Sequence, residues 1–170
     1  MLTTDVLIIG TGIAGASAAL ELAQNPKRRI RFITRELDPH ESNTGYAQGG
    51  IISRGPDDSA DLLVEDILAA GAGASLPEAA RILAEEGPVL LQKILIEAAG
   101  IAFDHDQRGQ LEWGQEAAHS RRRILHVGDG TGAAISRGNG CPGHNDAPAT
   151  AAAAKAAAQT VRTMSEPTAR

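Results

Sequence analysis

An α/β fold is predicted by three features of the sequence: a β-branched apolar run at Val6–Ile9, a glycine-rich turn directly after it, and a helical pattern leading to a second β-rich run over 30–34. Strand, turn, helix and strand within about 30 residues make a βαβ unit, the start of a Rossmann-like parallel sheet. At 170 residues the chain suits one ordinary domain, and 42% hydrophobic residues supply it with a core. Only Phe32, Tyr46, Phe103 and Trp113 are aromatic, so that core is aliphatic and alanine-rich. A net charge of −5 is too small to force disorder and gives no basic face for nucleic acid. The single cysteine, Cys141, makes no internal disulfide and fits a reducing compartment. No apolar run reaches the ~18 residues of a membrane span. The N-terminus lacks the basic start and long apolar region of a signal peptide. A cytoplasmic address is expected.

The elements follow in order. Val6-Leu7-Ile8-Ile9 is short and β-branched, which suits a strand buried on both faces. Small residues with Leu20 and Leu22 over 13–23 read as a tightly packed helix, stopped by Asn25-Pro26. Alternation over 30–34 makes the second strand. The polar stretch 35–50 is too long for a plain connector, which marks it as a binding loop. Leu62, Leu63, Ile67 and Leu68 at helical spacing predict a helix over 61–70. Ser75-Leu76-Pro77-Glu78 is a capping box with proline just inside the start, so a further helix opens there and ends at Gly87. Another begins at Pro88, buries Leu91, Ile94 and Leu95, and takes Gly100 as its C-cap. Ile101-Ala102-Phe103 reads as a short strand and 104–115 as polar turns. Residues 1–135 thus form the predicted domain. Beyond Ile135 come the breakers Gly138, Gly140, Pro142 and Gly143 and then an alanine run over 149–158, so 136–170 reads as an atypical Gly/Ala-rich tail, helical or disordered.

Gly10-Thr11-Gly12-Ile13-Ala14-Gly15 is a G-x-G-x-x-G sequence, placed after a strand and opening a helix as the mechanism needs. Gly10 permits the tight turn, Gly12 lets a pyrophosphate reach the backbone, and Gly15 lets helix and strand approach. Free N–H groups and the positive end of the helix dipole then face the phosphates. The competing reading is an ordinary glycine-rich strand-to-helix turn. Glu36, at the end of the second strand, is the acid that would hold a ribose, whereas Arg35 suits a 2′-phosphate. Solvated charges at a strand end explain the two equally well. Periodicity alone does not separate FAD from NAD(P).

The loop supplies the discrimination. Ser42-Asn43-Thr44-Gly45-Tyr46-Ala47-Gln48-Gly49-Gly50-Ile51 resembles the flavin-contacting segment of the succinate dehydrogenase/fumarate reductase flavoprotein superfamily. Within it the similarity is to the L-aspartate oxidase family, whose segment reads Ser-Asn-Thr-x-x-Ala-Gln-Gly-Gly-Ile. Further matches follow in order: Val64-Glu65-Asp66 leading to Ala70-Gly71-Ala72-Gly73, then Gly100 leading to Phe103-Asp104. The run from Glu116 through His119, Arg121, Arg122 and Arg123 to Ile124-Leu125-His126 is followed by Asp129-Gly130-Thr131-Gly132. The resemblance covers 4–135, and motifs spaced separately in the right order are far more specific than the glycine fingerprint alone.

The resemblance implies a partial Rossmann-like FAD-binding domain holding its flavin non-covalently. No histidine stands within 42–50, where succinate dehydrogenases bond theirs to the flavin, and His40 lies upstream of that register. Gln48-Gly49-Gly50 then offers side-chain-free backbone to the ring, and Asn43 and Thr44 offer short polar groups to the ribityl and phosphate region. Ser42, Tyr46 and Ala47 belong to the same contact segment. Thr34-Arg35 aligns with a family Ser-Lys, which makes Arg35 an adenosine-side contact and withdraws the claim of Glu36 on the ribose. The implied activity is oxidation of L-aspartate to iminoaspartate for NAD biosynthesis, with oxygen or fumarate as electron acceptor. Glu116 aligns with a family glutamate that orients the substrate ammonium, and it reads equally as a solvated loop carboxylate. Of the three arginines 121–123, at least two read as a solvated basic run. Cys141-x-x-His144 and the other histidines show no complete zinc spacing, so no metal is expected. No G-x-S-x-G nucleophile elbow is present.

Nothing here matches the family's later strands, its capping domain with the catalytic arginine, or its C-terminal motif, so no residue is assigned the catalytic role. The first strand of a doubly wound sheet is central, and an incomplete sheet leaves one of its edges bare, a route to association. The alanine-rich tail departs from the family and points to truncation or frame disruption, so turnover by this chain alone is not expected. Two alternatives stay open: a non-catalytic nucleotide-binding fragment or subunit, and a small NAD(P)-dependent reductase resting on the βαβ unit and Arg35-Glu36.

Overall fold

The computed structural model describes residues 3–138. The expectations for the tail from 139 onward, with Cys141 and His144, lie outside the described residues. Two compact units divide the chain: one runs to Ala47 and resumes at Gly132, and the other is Gln48–Thr131.

In the first unit, β1 (Val6–Ile9), α1 (Ile13–Ala23) and β2 (Ile30–Ile33) form the expected βαβ unit. The strands are parallel, with Val6 opposite Ile30 and Ile9 opposite Ile33. Gly10 N–H extends the ladder by donating to the Ile33 carbonyl at 2.9 Å. Ala19 and Phe32 are buried. β1 is not buried on both faces as its composition suggests. Val6 and Ile8 are half-buried, while Leu7 and Ile9 are 50% and 80% exposed. One layer explains the alternation: α1 packs on the Ile8 side, and among the described residues β2 is the only strand paired with β1.

The stretch 35–50 is not all loop. It holds a one-turn helix, α2 (Asn43–Tyr46), whose start is capped by Ser42 Oγ accepting from Gly45 N–H at 3.3 Å. In the same unit Gly132, in α5 (Thr131–Arg137), donates its N–H to the Ala47 carbonyl at 3.0 Å. A Cβ at Gly132 would run into the carbonyl oxygens of Thr44 and Ala47, so only glycine allows this approach. Ser136 Oγ donates to the His40 carbonyl at 3.2 Å.

The second unit pairs two short strands that the sequence reading did not foresee, β3 (Ile51–Ile52) and β4 (Ile124–Leu125). They are antiparallel, with Ile51 opposite Leu125. The predicted helix at 61–70 is α3 (Ala60–Ala70), capped by Ser59 Oγ accepting from Leu62 N–H at 3.2 Å. It packs Leu63 and Val64 against Ala80 and Ala84 of α4 (Pro77–Leu90), with Ile52, Ile67 and Leu68 around them. The small alanines let the two helices approach closely.

α4 starts at Pro77 as expected, but the capping box is not made. Leu76 is the N-cap, and Ser75 Oγ donates instead to the Ile67 carbonyl at 3.3 Å. Nor does the helix end at Gly87 and restart at Pro88. It passes through both and continues in wide π turns over Leu91–Ala98. Pro88 has no N–H for the carbonyl four residues earlier, that of Ala84, and an interior proline costs about 3 kcal/mol for this reason and for its ring clash. Arg54 replaces the missing donor: its Nη2 reaches the Ala84 oxygen at 2.6 Å. The predicted strand at 101–103 does not form. Ile101 and Phe103 are buried apolar side chains on irregular backbone, followed by Asp104 N–H donating to the His126 carbonyl at 2.8 Å.

The arginine run splits as expected, with Arg121 and Arg122 exposed. Arg123, however, has no solvent exposure: it pairs with Asp58 at 2.7 Å and Asp66 at 2.8 Å. Burial pushes the Asp66 carboxyl up, but the N–H and hydroxyl of Ser120, together with Arg123, outweigh it and hold the group below its ordinary 3.8. That stabilisation is complete above the ordinary value and is lost as pH falls through the lowered one.

Two outcomes follow. Arg123→Met leaves two inward-facing carboxylates without a cation and should cost about 3–5 kcal/mol in urea denaturation. Arg54→Met strips the Ala84 carbonyl of its donor and should cost about 1–3 kcal/mol. In a Pro88→Ala background, where the helix supplies its own N–H, the cost of Arg54→Met should nearly vanish. Equal costs in both backgrounds would refute the account of the proline.

Candidate functional site

The glycine turn lies wholly in the first unit. Gly10 has φ +98°, a conformation that favours glycine, and nothing lies within 4 Å of where its Cβ would stand. A Cβ at Gly15 would meet the Gly10 carbonyl oxygen and would stand 3.1 Å from Ile8 Cγ2. That is the close helix–strand packing expected of the third glycine. Gly12 is the N-cap of α1, and its carbonyl accepts from Ala16 N–H at 3.0 Å. The N–H groups of Gly12, Ala14 and Gly15 therefore have no acceptor within the helix.

Thr44 joins this turn. Its Oγ1 accepts from Ile13 N–H at 3.0 Å and would stand 3.1 Å from a Cβ on Gly12. The loop and the fingerprint, 31 residues apart, thus meet in one cradle. Thr11 Oγ1 is buried there without a hydrogen-bond partner. Asn43 is exposed, and the exposed Tyr46 donates its hydroxyl to Glu41. Arg35, at the end of β2, is exposed and pairs with its neighbour Glu36 at 2.8 Å.

Gln48, Gly49 and Gly50 open the second unit. Gln48 and Gly49 are exposed. Gly50 is not open backbone: a Cβ there would meet Ile124, the Leu125 oxygen at 2.5 Å and His126 Nε2 at 2.7 Å. Its size is demanded by β4. Gly50 N–H donates to Glu116 Oε1 at 3.1 Å, and the same oxygen meets His126 Nε2 at 3.0 Å. The Gly50 N–H, followed by His126, holds the Glu116 carboxyl below its ordinary 4.5. Glu116 and His126 line a cleft of about 400 Å³ with Gln48, Gly49, Gly128 and Asp129. His126 stood in the quoted motif without a role. Its signal was spacing: ten residues after Glu116, across a turn that returns the chain to β4. His119 is half-buried, and its Nδ1 is buried without a partner. Among the described residues no group of His, Cys, Asp and Glu could hold a metal ion.

A strand, a glycine-rich turn and a helix start with unpaired donors define a dinucleotide-binding α/β domain. The chain belongs to the FAD binding domain family, whose pattern matches residues 5–141. Among curated proteins it is 45% identical over 133 residues to the L-aspartate oxidase of Agrobacterium fabrum, covering 77% of this chain and 24% of that one. The chloroplastic L-aspartate oxidase 2-a of Nicotiana tabacum is 41% identical over 134 residues, 78% of this chain and 20% of its own length. The chain thus spans about a quarter or less of the curated relatives it matches. Among solved structures, the Sdh1 complex of Mycobacterium smegmatis in the apo form superposes with a TM-score of 0.70 at 28% identity, over 79% of this chain and 23% of that one. The turn fits the cofactor of its family: the orphaned Thr11 hydroxyl and the free N–H groups of α1 are donors without acceptors, and the Cβ-free Gly12 leaves the backbone accessible.

Gly50→Ala should force β3 away from β4, lowering stability by about 1–3 kcal/mol. It should also break the bond to Glu116. Carboxyl-detected NMR should show the Glu116 titration moving up toward 4.5, and an unmoved titration would show that Gly50 does not hold it.

Proposed function

We propose that this chain binds FAD non-covalently as part of an oxidase acting on L-aspartate, yielding iminoaspartate for NAD biosynthesis in the cytoplasm, with oxygen or fumarate as electron acceptor. The observation that carries the reading is the cradle of Gly10–Gly15 and Thr44, in which a buried hydroxyl and several backbone donors await an anion. Similarity to L-aspartate oxidases over three-quarters of the chain supports the substrate.

When bound, FAD supplies a hydride acceptor for the substrate α-carbon. Gly12, Ala14, Gly15 and Thr11 would hold its diphosphate through their donors, where the helix dipole adds to the attraction. Gly10 and Gly12 keep side chains out of that space. Thr44, Asn43 and Ser42 offer short polar groups beside it, with Tyr46 and Ala47 on the same segment, and Arg35 serves the adenosine side. Gln48 and Gly49 are exposed on the stretch that resembles the family's flavin-contacting segment. Gly50 belongs to this segment as the donor that fixes Glu116. Glu116, ionised at neutral pH, takes the substrate ammonium and so separates an amino dicarboxylate from a plain one.

Mixed with FAD and then freed of unbound flavin by gel filtration, the purified chain should retain flavin bands at about 370 and 450 nm with quenched fluorescence. Gly12→Val should abolish them while far-UV circular dichroism is unchanged. L-aspartate should perturb the bands and succinate should not. A chain that ignores FAD and binds NADPH would sink the proposal.

A further inference from the structure

We propose that His126 is a positioning residue for Glu116: its ring pins one carboxylate oxygen so that the other is held ready for the substrate ammonium group. The inference rests on the role given to Glu116 above and adds the residue that makes that role work. Oε1 of Glu116 is engaged twice, by Gly50 N–H at 3.1 Å and by His126 Nε2 at 3.0 Å. Among the described residues no donor engages Oε2. An ionised carboxylate only accepts, so Nε2 of His126 carries the hydrogen.

The ring has little freedom to turn away. A Cβ on Gly114 would stand 2.6 Å from its Cε1 and 3.0 Å from its Nδ1, and one on Gly50 would stand 2.7 Å from its Nε2. Two glycines therefore leave the room that the imidazole edge occupies. That room is anchored from both sides: Gly114 N–H donates to the Ile124 carbonyl at 2.8 Å, and Asp104 N–H to that of His126 at 2.8 Å. Other titratable groups stand near the pair: His119 lies close to Glu116, Asp129 lines the same cleft, and Asp104 and Glu112 line the adjoining one with His126. A carboxylate held at one oxygen by two donors swings less than a free one, so an ammonium group meets a largely preformed acceptor rather than ordering a mobile one.

The test uses the full chain with FAD and carbon-13-labelled glutamate, the Glu116 carboxyl signal being assigned by its loss in Glu116→Gln. In the parent chain L-aspartate should shift this signal and succinate should leave it in place. His126→Ala should weaken the aspartate response about tenfold, the worth of one charge-assisted hydrogen bond, and raise the Glu116 titration. His126→Gln, which keeps a donor near the same place, should restore both in part, whereas a merely space-filling role would not distinguish glutamine from alanine in the titration. An aspartate response and a titration unchanged in His126→Ala overturn the proposal. Should aspartate fail to move the signal in the parent chain, the substrate reading falls by itself. The hold of His126 on Glu116 is then judged by the titration alone: raised by alanine and restored by glutamine upholds it, and unmoved by alanine refutes it.

Discussion

The second unit is organised by a guanidinium that water does not reach. Arg123 sends its two terminal nitrogens to Asp58, just before α3, and to Asp66, inside it. Its backbone meanwhile donates to the Gly114 carbonyl at 3.0 Å and accepts from Ser53 N–H at 2.8 Å. One residue thus ties the helix layer to the strand layer and sets where β4 begins. Burying a charge is costly unless it is paired and hydrogen-bonded, and two carboxylates meet that condition here. Its Nε remains buried without a partner, so the satisfaction is not complete. Because β4 (Ile124–Leu125) lies directly between Arg123 and His126, the ion cluster helps to place the Glu116–His126 pair.

In the first unit the governing constraint is steric. Gly15 lies against the Gly10 carbonyl, and Gly12 lies beside the Thr44 hydroxyl. The first approach is closer than a Cβ would permit and the second leaves a Cβ little room, and together they keep the backbone donors at the start of α1 uncovered by side chains at 10 and 12. The same economy recurs in the second unit, where Gly50 and Gly114 make room for the imidazole of His126. Glycines that read in the sequence as a surface for a flat ring are therefore divided in role. Gly49 is open, and Gly50 is taken up by the protein's own packing.

The βαβ unit was legible because its signals are local: a β-branched run, three spaced glycines, and a helix ending before Asn25-Pro26. The candidate site segments are legible as ordered motifs, and the structure brings two of them together where Thr44 meets Gly12 and Ile13. The course of α4 was not legible. Proline after glycine at 87–88 is a stop by local rules, and it was overruled by Arg54, 30 residues before Ala84. The capping box at 75–78 failed for a related reason, since Ser75 found the end of α3 a nearer partner than its own helix. The strands β3 and β4, two residues each, are too short to show any period.

Local sequence alone sets the opening βαβ unit, the glycine turn and the order of the loop and glutamate motifs. Each rests on the chemistry of adjacent residues or on Cβ-free positions at set intervals. Tertiary structure alone decided that Arg123 is buried while Arg121 and Arg122 are exposed, that Leu7 and Ile9 are open, and that His126 meets Glu116. These are outcomes of which surfaces come together, and burial or pairing between residues distant in the chain leaves no mark in local periodicity.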